Sequence, residues 1–138
     1  MAYWLMKSEP DAWSWDSQVK KGAKGEPWTG VRNHSAKLNL MKMKKGDRGF
    51  FYHSNIGKEV VGIVEIIREH YHDPTAEAGT PWVVVDVKAV QPMPKPVTLA
   101  AVKAEPKLKE MALLKLSRLS VQPVTEAEWK IVCKMGGL

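Results

Sequence analysis

One cysteine, Cys133, is the only thiol among the 138 residues of this chain. A disulfide within the chain is therefore impossible, which excludes the small disulfide-stapled folds and favours a reducing compartment. No apolar run approaches the roughly 18 residues that a membrane-spanning helix requires. The first residues, Met1–Lys7, lack the long apolar stretch and the small-residue cleavage site of a secretory signal peptide. We therefore expect a cytoplasmic protein with no membrane partner.

Acidic residues are fewer than basic ones. The chain has 15 Asp and Glu against 21 Lys and Arg, a formal net charge of +6. This excess favours a polyanionic partner such as nucleic acid, although an inert basic surface has the same composition. Hydrophobic residues make up 44% of the chain and charged residues 26%, which is too apolar for a disordered protein. At this length we expect a single domain, residues 1–138.

Neither a repeat nor a linker interrupts the chain, and short strands alternate with short helices. The apolar and β-branched patterns predict strands over residues 3–7, 48–54, 59–67 and 82–91, and an extended segment over 117–124. The strand at 59–67 is apolar on both faces, so we expect it to be central. Three prolines predict an irregular stretch at Pro92, Pro94 and Pro96.

Side chains that cap helices recur along the sequence. The predicted caps are Ser14, Asn33 or Ser35, Thr98 and Thr125, the last with Glu128 as a capping box. In the helix that ends near Met43, helical spacing points Leu38 and Met41 inward, with Leu40 as a further candidate. These elements predict an α+β domain, a bent β-sheet or barrel of about five strands with short surrounding helices.

Four polar segments lie where strands end or helices begin, and they form the candidate site. The segments are 7–10, 28–33, 52–55 and 117–123. Side chains at such ends leave the core and can converge. Together the segments supply an aromatic ring, amides, hydroxyls and arginines. A nucleotide needs these groups for stacking on its base, reading its edge and holding its phosphate.

Trp28 is the leading stacking candidate because its neighbours are polar, with glycines close by. The alternative, which we weight equally, is a loop tryptophan that plugs the end of the core. Asn33 offers a donor and an acceptor to a base edge, but capping a helix is its alternative role. Arg32 and Arg118 are candidate phosphate ligands, and a surface ion pair is the alternative for each.

An enzymatic site would have to use His53 and Ser54. The two are sequence neighbours on a predicted strand, so their side chains point to opposite faces. A metal site from His53, His70 and His72 lacks a Cys or carboxylate ligand, and solvated surface is the favoured interpretation. The chain has no glycine-rich phosphate loop. We therefore predict a non-enzymatic protein with no catalytic residue, no metal and no other cofactor.

Five segments, taken in this order, resemble the EVE domain family of the PUA-like superfamily. The segments are Tyr3–Pro10, Trp28–Asn33, Phe51–Asn55, Trp82–Val87 and Ser117–Val124. The resemblance implies a PUA-like bent β-barrel with helices packed around it, and kinship with the YTH domains that clasp a methylated adenine. It also implies a reader of modified bases, cytosine derivatives in DNA among them, with the base flipped out or already single-stranded.

By position, the resemblance implies one aromatic stacker and a polar lining. The stacker is Trp28; the base-binding lining is Lys7, Ser8, Asn33, His53, Ser54, Ser117, Ser120 and Gln122; the phosphate ligands are Arg118 and Arg32. His34 departs from the aromatic tyrosine of many relatives, and residues 73–81 form a shorter loop than in the eukaryotic ones. The chain also lacks the basic N-terminal tail of a eukaryotic relative, so we expect a bacterial source.

DNA is favoured over RNA as the partner. The alternatives are an RNA-binding PUA-like module, a nucleotide-acting enzyme with His53 as base, and an interaction module with a vestigial pocket. For the reader, we expect Trp28→Ala to remove the preference for a modified base while leaving the fold intact.

Overall fold

The computed structural model describes residues 1–138 and contains one mixed β-sheet with short helices around it. The strands are β1 (Tyr3–Ser8), β2 (Glu26–Pro27), β3 (Arg48–His53), β4 (Glu59–His72), β5 (Val83–Thr98) and β6 (Val121–Val124). The α-helices are α1 (Trp15–Lys20), α2 (His34–Lys42), α3 (Leu99–Ala104), α4 (Ala112–Lys115) and α5 (Glu126–Met135). None of these helices is long and apolar enough to span a membrane.

The sheet has six strands in the order β2-β5-β4-β3-β1-β6. β1 runs parallel to β3, and every other neighbouring pair is antiparallel. The predicted α+β class with short surrounding helices is confirmed. The sheet is open, however, and does not close into a barrel, because the edge strands β2 and β6 pair with β5 and β1 and not with each other.

A hydrophobic core lies on each face of the sheet, since successive side chains of a strand point to opposite faces. On β1, Trp4 and Met6 belong to one core and Leu5 to the other. The first core also contains Trp28 and lies under α2, whereas the second contains Trp129 of α5. β4 lies between β3 and β5, as its two apolar faces predict.

The predicted helix caps are confirmed at four positions. The capping side chains are Ser14, Asn33, Thr98 and Thr125, and Thr125 forms the capping box with Glu128. The inward face predicted for α2 is wrong at two residues. Leu38 is 51% exposed and Met41 38% exposed, while Ala36 and Leu40 are buried. Ala36 and Leu40 are four residues apart and so lie on one face, which turns the side of Leu38 and Met41 toward solvent.

β5 continues through the three prolines that predicted an irregular stretch. The register between β4 and β5 breaks there: Val60 pairs with Val97, while Gly62 pairs with Pro92. More residues of β5 than of β4 lie between those pairs, so the strand bulges. A bulge leaves residues unpaired, and the missing proline N–H groups are therefore tolerated.

Candidate functional site

The parallel pairing of β1 and β3 brings two of the predicted polar segments to one edge of the sheet. Ser8 at the end of β1 pairs with His53 at the end of β3. Just beyond them, the Ser54 N–H donates to the Ser8 carbonyl at 2.9 Å. Lys7, Ser8, His53 and Ser54, which are far apart in sequence, are therefore neighbours in the structure.

An open cleft of about 400 Å³ lies at this edge, and we call it the tryptophan cleft. Its lining comes from the end of β1, the turn after it, and β2 with the segment that follows: Lys7, Ser8, Glu9, Ala12, Trp13, Glu26, Pro27, Trp28, Thr29 and Gly30. The Trp28 N–H donates to the Val85 carbonyl at 2.8 Å, which fixes the last of these segments to β5.

Trp28 both plugs the core and lines the tryptophan cleft. It is 7% exposed, and its ring meets Phe51 edge-on, with centroids 5.3 Å apart and planes at 83°. Its indole N–H has no partner within the protein, yet it is not among the fully enclosed polar atoms. The alternative of a tryptophan that plugs the core therefore describes most of the ring, and its role in stacking on a base stays a prediction. The indole N–H is free to bond a ligand.

Trp13 is a second tryptophan of the cleft, and the sequence reasoning missed it. The residue is half-buried, and its indole N–H donates to Gln18 Oε1 at 2.9 Å. Its carbonyl accepts a hydrogen bond from Ser8 Oγ at 2.6 Å. Both ends of Trp13 are thus held, which makes it a preorganised wall for a flat ligand. The sequence did contain a signal for its exposure: Trp13 precedes the predicted helix cap Ser14, outside the helix, whereas the buried Trp15 follows it.

Two carboxylates, Glu9 and Glu26, also line the tryptophan cleft. Neither was predicted, because the net positive charge of the chain favours basic residues as ligands of nucleic acid. Glu9 Oε1 accepts from Asn55 Nδ2 at 2.8 Å, and Glu26 Oε1 lies 3.4 Å from Lys21 Nζ. Each carboxylate has a second oxygen without such a contact. The cleft therefore offers acceptors to a ligand that carries N–H donors.

Lys7 connects this cleft to a second one of about 250 Å³, which we call the Ser54 cleft. That cleft is lined by Lys7, Tyr52, Ser54, Asn55, Lys58, Leu99, Leu113 and Ser117. Lys7 Nζ donates to the Ser117 carbonyl at 2.6 Å. Burial lowers the pKa of Lys7 from its ordinary value, because removal from water disfavours the charged form.

Ser117 continues the surface into a third cleft, the Arg118 cleft, of about 430 Å³. Its lining is Asn33, Ser35, Lys115, Leu116, Ser117, Arg118 and Leu119, with no carboxylate among them. Arg118 makes no ion pair. Asn33 Oδ1 accepts the Ala36 N–H at 2.9 Å, so Asn33 caps α2 while it lines the cleft. The three clefts are contiguous through Lys7 and Ser117.

Gln122 and Ser120 line none of these clefts, and the full burial of Gln122 speaks against its predicted contact with a base. Gln122 is fully buried on β6, and its Nε2 donates to the carbonyls of Leu116 at 3.0 Å and Leu119 at 2.8 Å. It thereby holds the turn that carries Ser117 and Arg118. Ser120 contributes its carbonyl, which accepts the Lys7 N–H at 2.8 Å. Gln122 thus supports the site from inside the protein, whereas Ser120 is partly exposed and its contact with a base stays a prediction.

Arg32 forms an ion pair, which was the alternative to its predicted role as a phosphate ligand. Its Nη1 lies 2.9 Å from Oδ2 of Asp73, whose side chain is fully buried. The same oxygen accepts the Gly30 N–H at 3.1 Å. Arg32 and Asp73 therefore fasten the Trp28–Arg32 segment to the loop before β5, and the geometry does not support Arg32 as a phosphate ligand.

Asp73 has a depressed pKa. Burial on its own would raise the pKa, but hydrogen bonds from Thr75, Arg32 and Gly30 outweigh it and hold the pKa at about 2. The group is therefore a carboxylate at every pH at which the protein is expected to work.

His53 lies at the same edge of the sheet but uses its ring nitrogen inside the protein. Its Nε2 accepts the Trp15 N–H at 3.1 Å, at the start of α1. Burial lowers the pKa of His53, although the charges of Glu59 and Asp16 oppose the shift. The neutral ring is the form that accepts this hydrogen bond, so His53 positions α1 beside the tryptophan cleft.

The EVE domain family model matches residues 2–135. Human thymocyte nuclear protein 1 is 33% identical over 170 aligned residues, which cover 97% of this chain and 73% of that protein. A Rhodopseudomonas palustris protein of known NMR structure is 69% identical, with a TM-score of 0.93 over 99% of this chain and 94% of that one.

Two further solved structures contain nucleic acid. Human THYN1 in complex with DNA containing 5-methylcytosine is 30% identical, with a TM-score of 0.92 over 100% of this chain and 99% of that one. A YTH domain from Zygosaccharomyces rouxii, in complex with N6-methyladenosine RNA, is 17% identical, with a TM-score of 0.59 over 98% and 86% of the two chains. That second likeness shows the fold alone.

Proposed function

Because this chain belongs to the EVE domain family, as the match over residues 2–135 shows, we propose that it is a non-enzymatic reader of modified bases in DNA. The observation that carries the proposal is the tryptophan cleft, an open cleft lined by both Trp13 and Trp28. The human THYN1 complex supports it, since that relative binds DNA containing 5-methylcytosine and has the same fold.

The tryptophan cleft suits a cytosine in size and in chemistry. Its volume of about 400 Å³ lies within the range of small-molecule sites. Trp13 supplies the larger share of the stacking surface, because Trp28 is 7% exposed. The exocyclic amine of cytosine donates hydrogen bonds, which Glu and Asp side chains accept. Glu9 and Glu26 are the acceptors on this wall, and the free Trp28 N–H is the matching donor for a base oxygen.

A base in this cleft must leave the duplex stack, which costs a few kcal/mol. Stacking on a tryptophan contributes roughly 1–3 kcal/mol, and the phosphate contacts offset the rest. Arg118 is the phosphate ligand in this proposal. It is free of ion pairs, and its cleft is joined to the tryptophan cleft by Ser117 and Lys7.

Catalysis is not part of the proposed function. The candidate base His53 accepts the Trp15 N–H through Nε2, so this nitrogen holds α1 in place. The occupied nitrogen supports binding without turnover.

The experiment is a fluorescence-anisotropy titration of the protein with DNA oligonucleotides that carry cytosine, 5-methylcytosine, 5-hydroxymethylcytosine or N6-methyladenine. One buried methyl group contributes about 0.8 kcal/mol, so we expect 5-methylcytosine to bind about fourfold more tightly than cytosine. RNA oligonucleotides with the same bases serve as the comparison. Equal affinity for cytosine and every modified base, or tighter binding of the RNA series, would contradict the proposal.

A further inference from the structure

The segment from residue 31 to residue 45 contains no acidic residue, although the chain has 15 of them. It contains five cationic residues: Arg32, Lys37, Lys42, Lys44 and Lys45. α2 forms most of this segment. The charge of the protein is therefore unevenly distributed, and α2 with the turn after it is one of the places where cations concentrate.

A cleft of about 420 Å³ lies at the C-terminal end of α2, away from the three clefts described above, and we call it the lysine cleft. It is lined by Met1, Ala2, Lys42, Lys44, Lys45, Gly46 and Asp47. The three lysines are exposed. Three ammonium groups around one open cleft are a binding surface for an anion.

Carboxylates near the lysine cleft neutralise little of this charge. Asp47 is 5% exposed, and its oxygens accept hydrogen bonds from Ala2 N, Trp4 Nε1 and Lys44 N. Glu69 Oε1 lies 4.0 Å from Lys44 Nζ, and its other oxygen accepts the Lys45 N–H at 3.2 Å. The ammonium groups of Lys42 and Lys45 make no ion pair and are free to bind.

α2 links the lysine cleft to the Arg118 cleft. Asn33 and Ser35 at the start of the helix line the Arg118 cleft, and Lys42 at its end lines the lysine cleft. With nine residues, α2 is about 14 Å long at 1.5 Å per residue. β1 gives a similar distance from the lysine cleft to the tryptophan cleft, because the five steps from Ala2, which lines the first, to Lys7, which lines the second, span about 17 Å at 3.3 Å per residue. The lysine cleft is thus roughly 15 Å from each of the other two, about four base-pair steps of DNA.

We propose that the lysine cleft binds the sugar–phosphate backbone of the same nucleic acid, a few nucleotides away from the base held in the tryptophan cleft. The inference rests on the proposed function, because it takes the base-binding site as its starting point. α2 then lies along the duplex, and its exposed side between the clefts carries no opposing charge: Leu38 and Met41 are the residues there. A partner that is a polyanion over this length meets cations at both ends of the helix.

The test compares the wild type with the triple variant Lys42→Gln, Lys44→Gln, Lys45→Gln on two probes, each with one central 5-methylcytosine. The first probe is a duplex of about 20 base pairs. The second is a single strand of about three nucleotides, with one nucleotide on each side of the modified base, which is too short to reach the lysine cleft. On the duplex we expect a loss of affinity of roughly 10- to 100-fold near 0.15 M salt. The slope of log K against log salt should fall in magnitude by about two to three. On the short strand we expect no change.

The matched control is the triple variant Lys103→Gln, Lys107→Gln, Lys109→Gln, which removes the same charge from exposed positions on and after α3. It should leave the duplex affinity within about threefold of the wild type, since these lysines line none of the described clefts. Equal losses in the two triple variants, or an unchanged salt slope in the first, would overturn the inference.

The methylated and unmethylated duplexes separate this inference from the proposed function. A wild type that prefers the methylated duplex, with no effect of the lysine-cleft variant, overturns the inference alone. A wild type without that preference, but with the expected loss in the variant, overturns the modified-base proposal and supports the backbone site. A wild type that binds no duplex overturns both.

Discussion

At the scale of single residues, the two tryptophans of the cleft differ in how deeply each is buried. Trp28 belongs to the core beside Phe51, whereas Trp13 is half-buried and held at the surface by Gln18 and Ser8. Removal of a nearly buried tryptophan costs about 3–5 kcal/mol of stability. The expectation drawn from the sequence, that Trp28→Ala leaves the fold intact, therefore has to be revised: that variant loses stability and binding together.

Trp13→Ala is the variant that separates binding from folding. We expect it to weaken binding of 5-methylcytosine DNA by roughly 5- to 150-fold, the loss of one stacking contact. The cost in stability should be about 1–2 kcal/mol, because Gln18 Oε1 loses its donor. Anisotropy titration measures the first quantity and urea unfolding the second.

The comparison for Trp13→Ala is Trp13→Phe, which keeps a ring but not the indole N–H. The Phe variant should recover most of the binding while keeping much of the stability loss, since that loss comes from the hydrogen bond. Equal binding by wild type and Trp13→Ala would mean that this ring does not touch the base.

Prediction from the sequence was uneven at this scale. Trp28 was found because its neighbours are polar, and Asn33 because amides cap helices, but each has two roles that local sequence cannot separate. Trp13 and the cleft carboxylates were missed. In the sequence alone, a half-buried tryptophan cannot be told from a core tryptophan. Glu9 and Glu26 were not predicted because a positive net charge favours basic residues as ligands of nucleic acid.

At the scale of elements, the segment from Trp28 to Arg32 depends on one buried carboxylate. Asp73 accepts hydrogen bonds from Gly30 and Arg32 on that segment and from Thr75 on its own loop. The guanidinium of Arg32 also lies 5.8 Å from the ring centroid of Trp82, the residue just before β5. The wall of the tryptophan cleft is thus fastened to the loop between β4 and β5.

The Asp73→Asn variant tests this fastening through pH. The pKa of Asp73 is about 2 in the folded protein against an ordinary value of 3.8, so the native state binds fewer protons than the unfolded state. The resulting stability is present above the ordinary pKa and is lost as the pH falls toward 2. We expect the variant to lose about 1–2 kcal/mol near neutral pH. Urea unfolding at a series of pH values should show the two proteins converging in acid.

The control for Asp73→Asn is Asp11→Asn, at an exposed position in the turn after β1. A surface change of this kind stays within about 0.5 kcal/mol. A difference between wild type and Asp73→Asn that stayed constant from neutral to acid pH would contradict the role of the carboxylate charge.

Helix starts were predicted well because a cap is a local interaction between neighbours in sequence, as at Ser14 and Thr125. Strand ends were predicted less well. β5 runs on past Pro94 and Pro96 because the bulge opposite β4 leaves these residues unpaired, and a bulge depends on the partner strand. The inward face of α2 was misjudged at Leu38 for a similar reason, since the sheet and not the helix decides which side is covered.

At the scale of the whole molecule, the site exists because of strand order. The parallel pairing of β1 with β3 places the segments around Ser8 and Ser54 side by side, and β6 beside β1 adds the turn with Ser117. No pattern within the sequence shows that pairing, and it was not predicted. The family resemblance implied a closed barrel, whereas the sheet is open with six strands.

The charged residues are distributed unevenly among the clefts. The Arg118 cleft and the lysine cleft lie at the two ends of α2, and the acidic groups Glu9 and Glu26 lie inside the tryptophan cleft. Cations thus lie outside the tryptophan cleft, while two carboxylates line it. In the proposed function, the cations hold the polyanionic backbone and the carboxylates accept from the base.

The central claim, that a modified cytosine occupies the tryptophan cleft, is tested most directly by following the indole N–H signals of the six tryptophans by NMR. With 5-methylcytosine DNA the account predicts large shifts for Trp13 and Trp28, smaller ones with unmodified DNA, and none for Trp129 in the opposite core. Signals of Trp13 and Trp28 that stay in place while other residues of the protein respond to the DNA would contradict it.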